Sequence, residues 1–387
     1  MTAPPYAGLW AGQDVVVLAA ANSWDEARMA DHQLAVALSA HAPVLYVDPA
    51  ASVLARARVH GLRGARLDER VRQVADRVLR LSPEGLPAGS RPGVADLNRA
   101  VVAHQVRRTL RHTGGTVQAY LDANVLAPTM DRVPARTRVY WAQDDFVGMG
   151  PLVGVSPALL ARAERRLSAA ADAIIAANPT VAASLESPGR TLHLIPFGCD
   201  AGLFGGPLPD GDPAVRLPRP IAFLMGTLND RLDVDCLRAV ADEGVSLLLV
   251  GPRSPRFASA AFDALLALPN VQWTGPRAFE DLPAVVAHAD VGIVPYTHSR
   301  FNEGSFPLKT LEYLAAGLPV VATDLPAIRW LASPHVEVAD TAAEFGRAVA
   351  LLARRPHDPE AVGHRRCFAR AHSWEQRATE FARVLGL

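Results

Sequence analysis

Apolar residues in this chain gather in short unbroken runs separated by amphipathic stretches. In the first half the runs are Asp14 to Ala20, Pro43 to Asp48, Val78 to Leu81, Val117 to Asp122, Arg138 to Gln143, Ala173 to Ala177 and Leu192 to Pro196. A strand with one face in water alternates apolar and polar positions. An unbroken run marks a strand covered on both faces, and so predicts a parallel sheet between helical layers. Between the runs, Glu26 to Ser39, Val94 to Arg111 and Ala158 to Ala171 have helical spacing, so strands and helices alternate as in βαβ units. The second half repeats the pattern, with strands expected at Ile221 to Met225, Ser246 to Val250, Val271 to Trp273, Val291 to Pro295 and Pro319 to Ala322. A last helix is expected from Trp374 to Leu385.

Residues 202–213 separate the two series, are dense in Gly and Pro, and carry little apolar periodicity, which reads as a linker. The expected fold class is therefore α/β: two doubly wound, Rossmann-like parallel-sheet domains facing a central cleft, where such folds bind ligands. The expected boundaries are 1–201, a linker at 202–216, 217–371, and a C-terminal helix at 372–387 packing back on the first domain. A length of 387 residues suits two cores.

Composition narrows the function classes. Acidic and basic residues balance at 39 each, which argues against a nucleic-acid binder. Met1 to Gln13 has no basic segment followed by a long apolar one, and no run approaches the roughly 20 apolar residues of a membrane span, so cytoplasmic residence is expected. Cys199, Cys236 and Cys367 lie far apart without metal-ligand spacing and are read as inert thiols.

Lys309 is the only lysine in a chain whose other long basic residues are all Arg. It lies just after the strand within Asp290 to Tyr296, a loop from Thr297 to Phe306, and the start of a helix from Pro307 to Ala316. That order delivers backbone N–H groups of Gly304, Ser305 and Phe306 to a strand's carboxyl end, an arrangement suited to an anion. Lys309 and Glu312, three apart, share a helix face; a cation beside such N–H groups suits a diphosphate, and the carboxylate suits ribose hydroxyls. The plainer reading is a surface Lys–Glu pair worth a few tenths of a kcal/mol.

Asp290 to Asp324, together with Val271 to Leu282, Leu194 to Asp200 and His372 to Glu375, resembles in order and spacing the retaining GT-B glycosyltransferases of the family-4 type, bacterial and nucleotide-sugar dependent. The resemblance covers the second half and, more weakly, the first. It implies an acceptor-binding N-terminal domain, a donor-binding C-terminal domain, and metal-independent sugar transfer with retention from a nucleoside-diphosphate sugar, UDP or GDP foremost, with no cofactor. Glu312 matches the second acid of the family's E-x7-E motif, which holds the donor ribose. The first acid falls on Gly304, leaving its neighbour Glu303 or the loop N–H groups to meet the donor sugar. Gly226, Thr227 and Arg231 match the Gly loop and its phosphate-neutralising cation, with Lys309 as the second cation, and Phe279 matches a residue whose backbone meets the base. Asp233 is the alternative partner for Arg231.

On the acceptor side the strand-end acids Asp25, Asp122, Asp144 and Asp145 can bond sugar hydroxyls or assist deprotonation, although the same residue types cap helices and shape turns. His32, inside the first helix, is read as structural. The acceptor is a carbohydrate, a lipid-linked molecule or a small molecule. The Arg-rich stretch from Arg56 to Arg80 suits either peripheral contact with the inner membrane face or a solvated helix face. Two other functions remain open: a GT-B 2-epimerase acting on nucleotide sugars, and a binding homologue without turnover.

Overall fold

The apolar runs form buried parallel strands. The computed structural model describes residues 6–52, 70–87, 93–186, 190–207, 209–356 and 358–387. These fall into two units, one of Met1–Ala177, Val181–Pro196 and Arg377–Leu387, the other of Asn178–Thr180 and Phe197–Gln376.

In the first unit the strands are β1 (Asp14–Ala19), β2 (Val44–Val47), β3 (Ala51–Ser52), β4 (Val71–Ala75), β5 (Val78–Leu81), β6 (Glu84–Gly85), β7 (Thr116–Asp122), β8 (Thr137–Ala142), β9 (Ala173–Ala176) and β10 (Thr191–Leu194). Among the described residues the main sheet runs β10-β9-β8-β7-β1-β2-β5-β4, while β3 and β6 pair separately. The strand order reverses between β1 and β7. All its pairings are parallel except that of the edge strand β4, which forms an antiparallel hairpin with β5.

That hairpin changes the reading of the Arg-rich stretch. Arg56, Arg58, Arg63 and Arg66 lie outside the described residues. Arg72 and Arg80 are on strands rather than a helix face, and both pair with Asp25. Arg80 is buried and also grips Asp48, and Arg70 pairs with Glu84. Arg80 and Arg70 serve the interior of the unit, and Arg72 forms an exposed pair. Among the described residues no helix is long and apolar enough to cross a membrane.

The second unit has β11 (Ile221–Met225), β12 (Ser246–Val250), β13 (Val271–Trp273), β14 (Val291–Val294), β15 (Val320–Thr323) and β16 (Val336–Ala339), in the order β13-β12-β11-β14-β15-β16. This is the doubly wound order, whose reversal between β11 and β14 opens a crevice at their carboxyl ends. The core packs Phe223 of β11 edge-on to Tyr313, whose hydroxyl accepts from the Met225 N–H at 2.9 Å. Residues 201–205, at the start of the Gly/Pro-rich stretch, form a short helix with Phe204 fully buried. The last helix spans Trp374–Leu385, and in the first unit its Phe381 meets Trp141 edge-on. Cys199 and Cys236 are buried, and burial pushes the Cys236 thiol up to about 12.

Candidate functional site

The crevice between β11 and β14 is built from two loops tied to each other. After β11 the chain turns at Gly226, whose φ of 143° suits glycine, and Gly226 N–H reaches the Val250 carbonyl at the end of β12. Gly251 lies against it so closely that a Cβ there would come within 2.0 Å of the Gly226 oxygen. Two glycines are thus needed to bring these strand ends together. Thr227 is exposed, and Asn229 then closes a turn by accepting the Arg231 N–H on its side chain.

The loop after β14 was expected to be irregular, with free N–H groups. It instead contains a helical turn, Arg300–Glu303, capped by Ser299. The N–H groups of Gly304 and Ser305 are consumed by the carbonyls of Arg300 and Asn302. The Gly304 carbonyl accepts from Asn178 Nδ2 at 2.9 Å. Neither Gly304 nor Ser305 therefore presents a free amide, and the expected anion site narrows to Phe306, whose N–H has no partner among the described residues. Ser299, a good N-cap three residues ahead of Asn302, was the unused signal for this turn.

Arg231 bridges the two loops. Its carbonyl accepts from the Thr297 N–H and from Asn302 Nδ2, at 2.9 and 3.1 Å. Its Nε donates to Asn302 Oδ1 at 2.7 Å and its Nη2 to Ser305 Oγ at 3.2 Å. The guanidinium carbon lies 4.6 Å from the Tyr296 ring centroid and 4.8 Å from that of Phe301. Asp233 is engaged elsewhere, capping the Val234–Asp242 helix through the Asp235 and Cys236 N–H groups. Asn302, Tyr296 and Phe301 were not singled out from the sequence.

Beyond the loop, the Leu308–Ala316 helix starts at Pro307 and ends at Gly317. Lys309 Nζ lies 2.8 Å from Glu312 Oε2, so the two share a face as expected. This is no surface pair. Glu312 is fully buried, and burial raises its carboxyl above the ordinary range despite the adjacent ammonium. The Lys309 ammonium is the charged group set against its carboxylate. Glu303 is exposed. Phe279 is buried on a 3-10 turn, its ring edge-on to Phe204 at 5.6 Å.

In the first unit the four acids have different duties. Exposed Asp25 pairs with Arg72 and Arg80, and the bond from Arg80 foremost lowers its pKa. Asp145 caps the Phe146–Val153 helix by accepting the Gly148 N–H. Asp144 is half-buried beside it. Asp122 is fully buried and accepts the N–H groups of Asn124, Thr129 and Met130 at 3.0, 2.9 and 3.1 Å. The sequence reading missed Asp31, also fully buried, which takes bonds from Asn22 and Gln143 at the ends of β1 and β8. In His32, Nδ1 accepts the Met29 N–H and Nε2 donates to the Ser23 carbonyl, which leaves neither nitrogen open.

Burial pushes the Asp122 carboxyl up to about 7 in spite of its three donors. An unfolded aspartate titrates near 3.9, about three units lower, so between these values the folded chain binds the extra proton. Stability from this group is fully present below about pH 4 and is lost as pH rises through about 7. Calorimetric melting should therefore show wild-type Tm falling, relative to Asp122→Asn, from about pH 5 to pH 8. Parallel Tm curves would refute this.

Comparison with known proteins adds to this geometry. Residues 225–355 match the family model described as Glycosyl transferases group 1. Over 182 residues it is 32% identical to TuaH of Bacillus subtilis (strain 168), a protein named as a teichuronic acid biosynthesis glycosyltransferase. The match covers 45% of this chain and 46% of that protein, so it spans about half the length of this curated relative. Among solved structures, sucrose-phosphate synthase from Thermosynechococcus elongatus superposes with a TM-score of 0.71 at 16% identity, covering 96% of this chain and 98% of the other. Anabaena HepE in complex with UDP-glucose gives 0.63 at 14% identity, covering 97% and 99%. At these identities the likeness establishes the fold, which is GT-B.

Proposed function

We propose that this protein is a glycosyltransferase that moves a sugar, with retention and without a metal ion, from a nucleoside-diphosphate sugar to a saccharide acceptor of a bacterial glycan. The observation that carries the reading is Arg231, a half-buried guanidinium at the β11/β14 crevice that forms no ion pair with a carboxylate among the described residues. A fixed cation of this kind suits a departing diphosphate. As the bond from the anomeric carbon to the diphosphate oxygen breaks, its electron pair stays on that oxygen, the acceptor oxygen bonds to the carbon, and the acceptor proton passes to the departing diphosphate. Charge growing on the diphosphate is the largest demand on the protein. Arg231, the Phe306 N–H and the ammonium of Lys309 supply the positive side.

Glu312 takes the donor ribose in this reading, with the Lys309 ammonium against its carboxylate. Gly226 and Thr227 border the phosphates and the backbone of Phe279 faces the base. Because Gly304 spends both backbone groups internally, recognition of donor-sugar hydroxyls falls to the exposed Glu303. UDP is the first nucleotide to test, since HepE, similar in fold, was solved with UDP-glucose; GDP is the second. We assign the acceptor to the carboxyl ends of the first unit's strands near Asp25, Asp144 and Asp145. Asp122, with its oxygens taken by backbone N–H groups, is kept as a loop organiser. The domain roles follow the expected division, acceptor binding within 1–201 and donor binding within 217–371, and the protein works in the cytoplasm.

Incubation with a panel of nucleotide sugars, reading nucleoside-diphosphate release with and without EDTA, tests the proposal. Slow release insensitive to EDTA is the expected result. Interconversion of sugars would identify an epimerase instead, and binding with neither outcome would identify a homologue without turnover.

A further inference from the structure

An arginine carries five N–H donors on a rigid planar fork, so what occupies each donor decides what else it can hold. In Arg231, Nε is taken by Asn302 Oδ1 and one Nη2 hydrogen by Ser305 Oγ. Tyr296 and Phe301 lie against the guanidinium at 4.6 and 4.8 Å, contacts that favour its charge and restrict its rotation. Among the described residues Nη1 has no hydrogen-bond partner and no carboxylate pairs with the side chain.

Asn302 sets this arrangement. It is fully buried, and its Nδ2 donates to the Arg231 carbonyl at 3.1 Å, to the Thr297 carbonyl at 2.8 Å and to Thr297 Oγ1 at 3.1 Å. Its Oδ1 takes the Arg231 side chain. One amide thus fixes the main chain and the guanidinium of the same residue, joining the loop after β11 to the loop after β14. Each role requires the amide: an aspartate could not donate to the carbonyls, and an aliphatic residue could do neither.

We propose that Asn302 is a positioning residue: it aims the open Nη1 edge of Arg231 at one phosphoryl group, so that a nucleoside diphosphate is preferred over the monophosphate. This rests on the donor-site reading above. Ser305 assists from the Nη2 side.

The test is calorimetric titration with UDP and UMP, and in parallel with GDP and GMP, on wild type, Arg231→Ala, Asn302→Ala, the double variant and Ser305→Ala. A charge-assisted hydrogen bond corresponds to about 10- to 100-fold in affinity. Arg231→Ala should lose about that much for the diphosphate and less than about threefold for the monophosphate. Asn302→Ala should lose about tenfold for the diphosphate alone, and the double variant should be no worse than Arg231→Ala, because the two act as one unit. Ser305→Ala, which removes a single hydroxyl, should show a several-fold loss of the same selectivity, and it tests the inference even if Asn302→Ala does not fold. Equal loss of di- and monophosphate in Asn302→Ala, additive losses in the double variant, or unchanged selectivity in Ser305→Ala overturns the positioning role. If Arg231→Ala separates diphosphate from monophosphate while Asn302→Ala and Ser305→Ala do not, the inference falls and the donor site stands. If wild type binds neither diphosphate, or Arg231→Ala changes nothing, the donor-site reading falls with it.

Discussion

Arg231→Ala should lower kcat/KM for sugar transfer by about 10²- to 10³-fold, the cost of removing one preorganised group that stabilises charge developing in the transition state. The effect should fall mainly on kcat. In the bound donor the diphosphate already carries charge and meets Arg231; as the anomeric bond breaks, a further negative charge arrives on the oxygen nearest the sugar. An interaction that strengthens between those two states shows in turnover more than in binding. Slow donor hydrolysis should drop by a similar factor, because water and acceptor share the leaving group. Arg231→Lys should recover little: an ammonium cannot reproduce the bonds of Nε to Asn302 and Nη2 to Ser305, nor stack flat against Tyr296 and Phe301. Steady-state kinetics with the donor from the panel experiment measures all three. A kcat within a few-fold of wild type in Arg231→Ala would remove this residue from the leaving-group role.

What the sequence made legible was whatever depends on residues near one another in the chain. β11, β12 and β13 have the limits their apolar runs implied, because burial on both faces leaves an unbroken signal. β16 was missed for the converse reason: Val336–Ala339 has two exposed positions in a short edge strand and gives no run. β4 was missed because Arg72 and Gln73 break the apolar run within Val71–Ala75, and the strand is held by its hairpin partner β5. In the site, the Lys309–Glu312 pair was visible from helical spacing, but its burial was not, since that depends on the sheet beneath. Asn302 was invisible for a stronger reason. Its importance lies in contacts with Arg231, 71 residues away, and a lone Asn in a loop looks like any turn residue. Asp145 shows how one residue type serves two ends: the helix beginning at Phe146 uses this strand-end acid as its cap, a duty the sequence alone did not separate from an acceptor-side one.

Lys309→Met should destabilise the protein as well as slow it, and the pH dependence separates the two effects. Glu312 is fully buried, and Lys309 is the cation 2.8 Å from its carboxylate. Removing the ammonium leaves a buried charge without compensation, which costs about 3 kcal/mol; the low end applies because Lys309 itself keeps some contact with water. The carboxyl of Glu312 is already raised by burial, and loss of Lys309 raises it further. An acid whose folded pKa lies above its unfolded value, about 4.3, stabilises the fold fully below the unfolded value and loses that contribution as pH rises. The destabilisation should therefore be small near about pH 4 and grow toward about pH 8. Adding Glu312→Gln should restore most of the stability, because a neutral amide needs no counter-ion, yet leave donor affinity low, since the carboxylate proposed to take both ribose hydroxyls is gone. Denaturant unfolding across this pH range, paired with donor titration, tests the argument. If the single variant lost activity but kept wild-type stability at every pH, Lys309 would act on the diphosphate alone; if the double variant regained both properties, Glu312 would have no part in holding the donor.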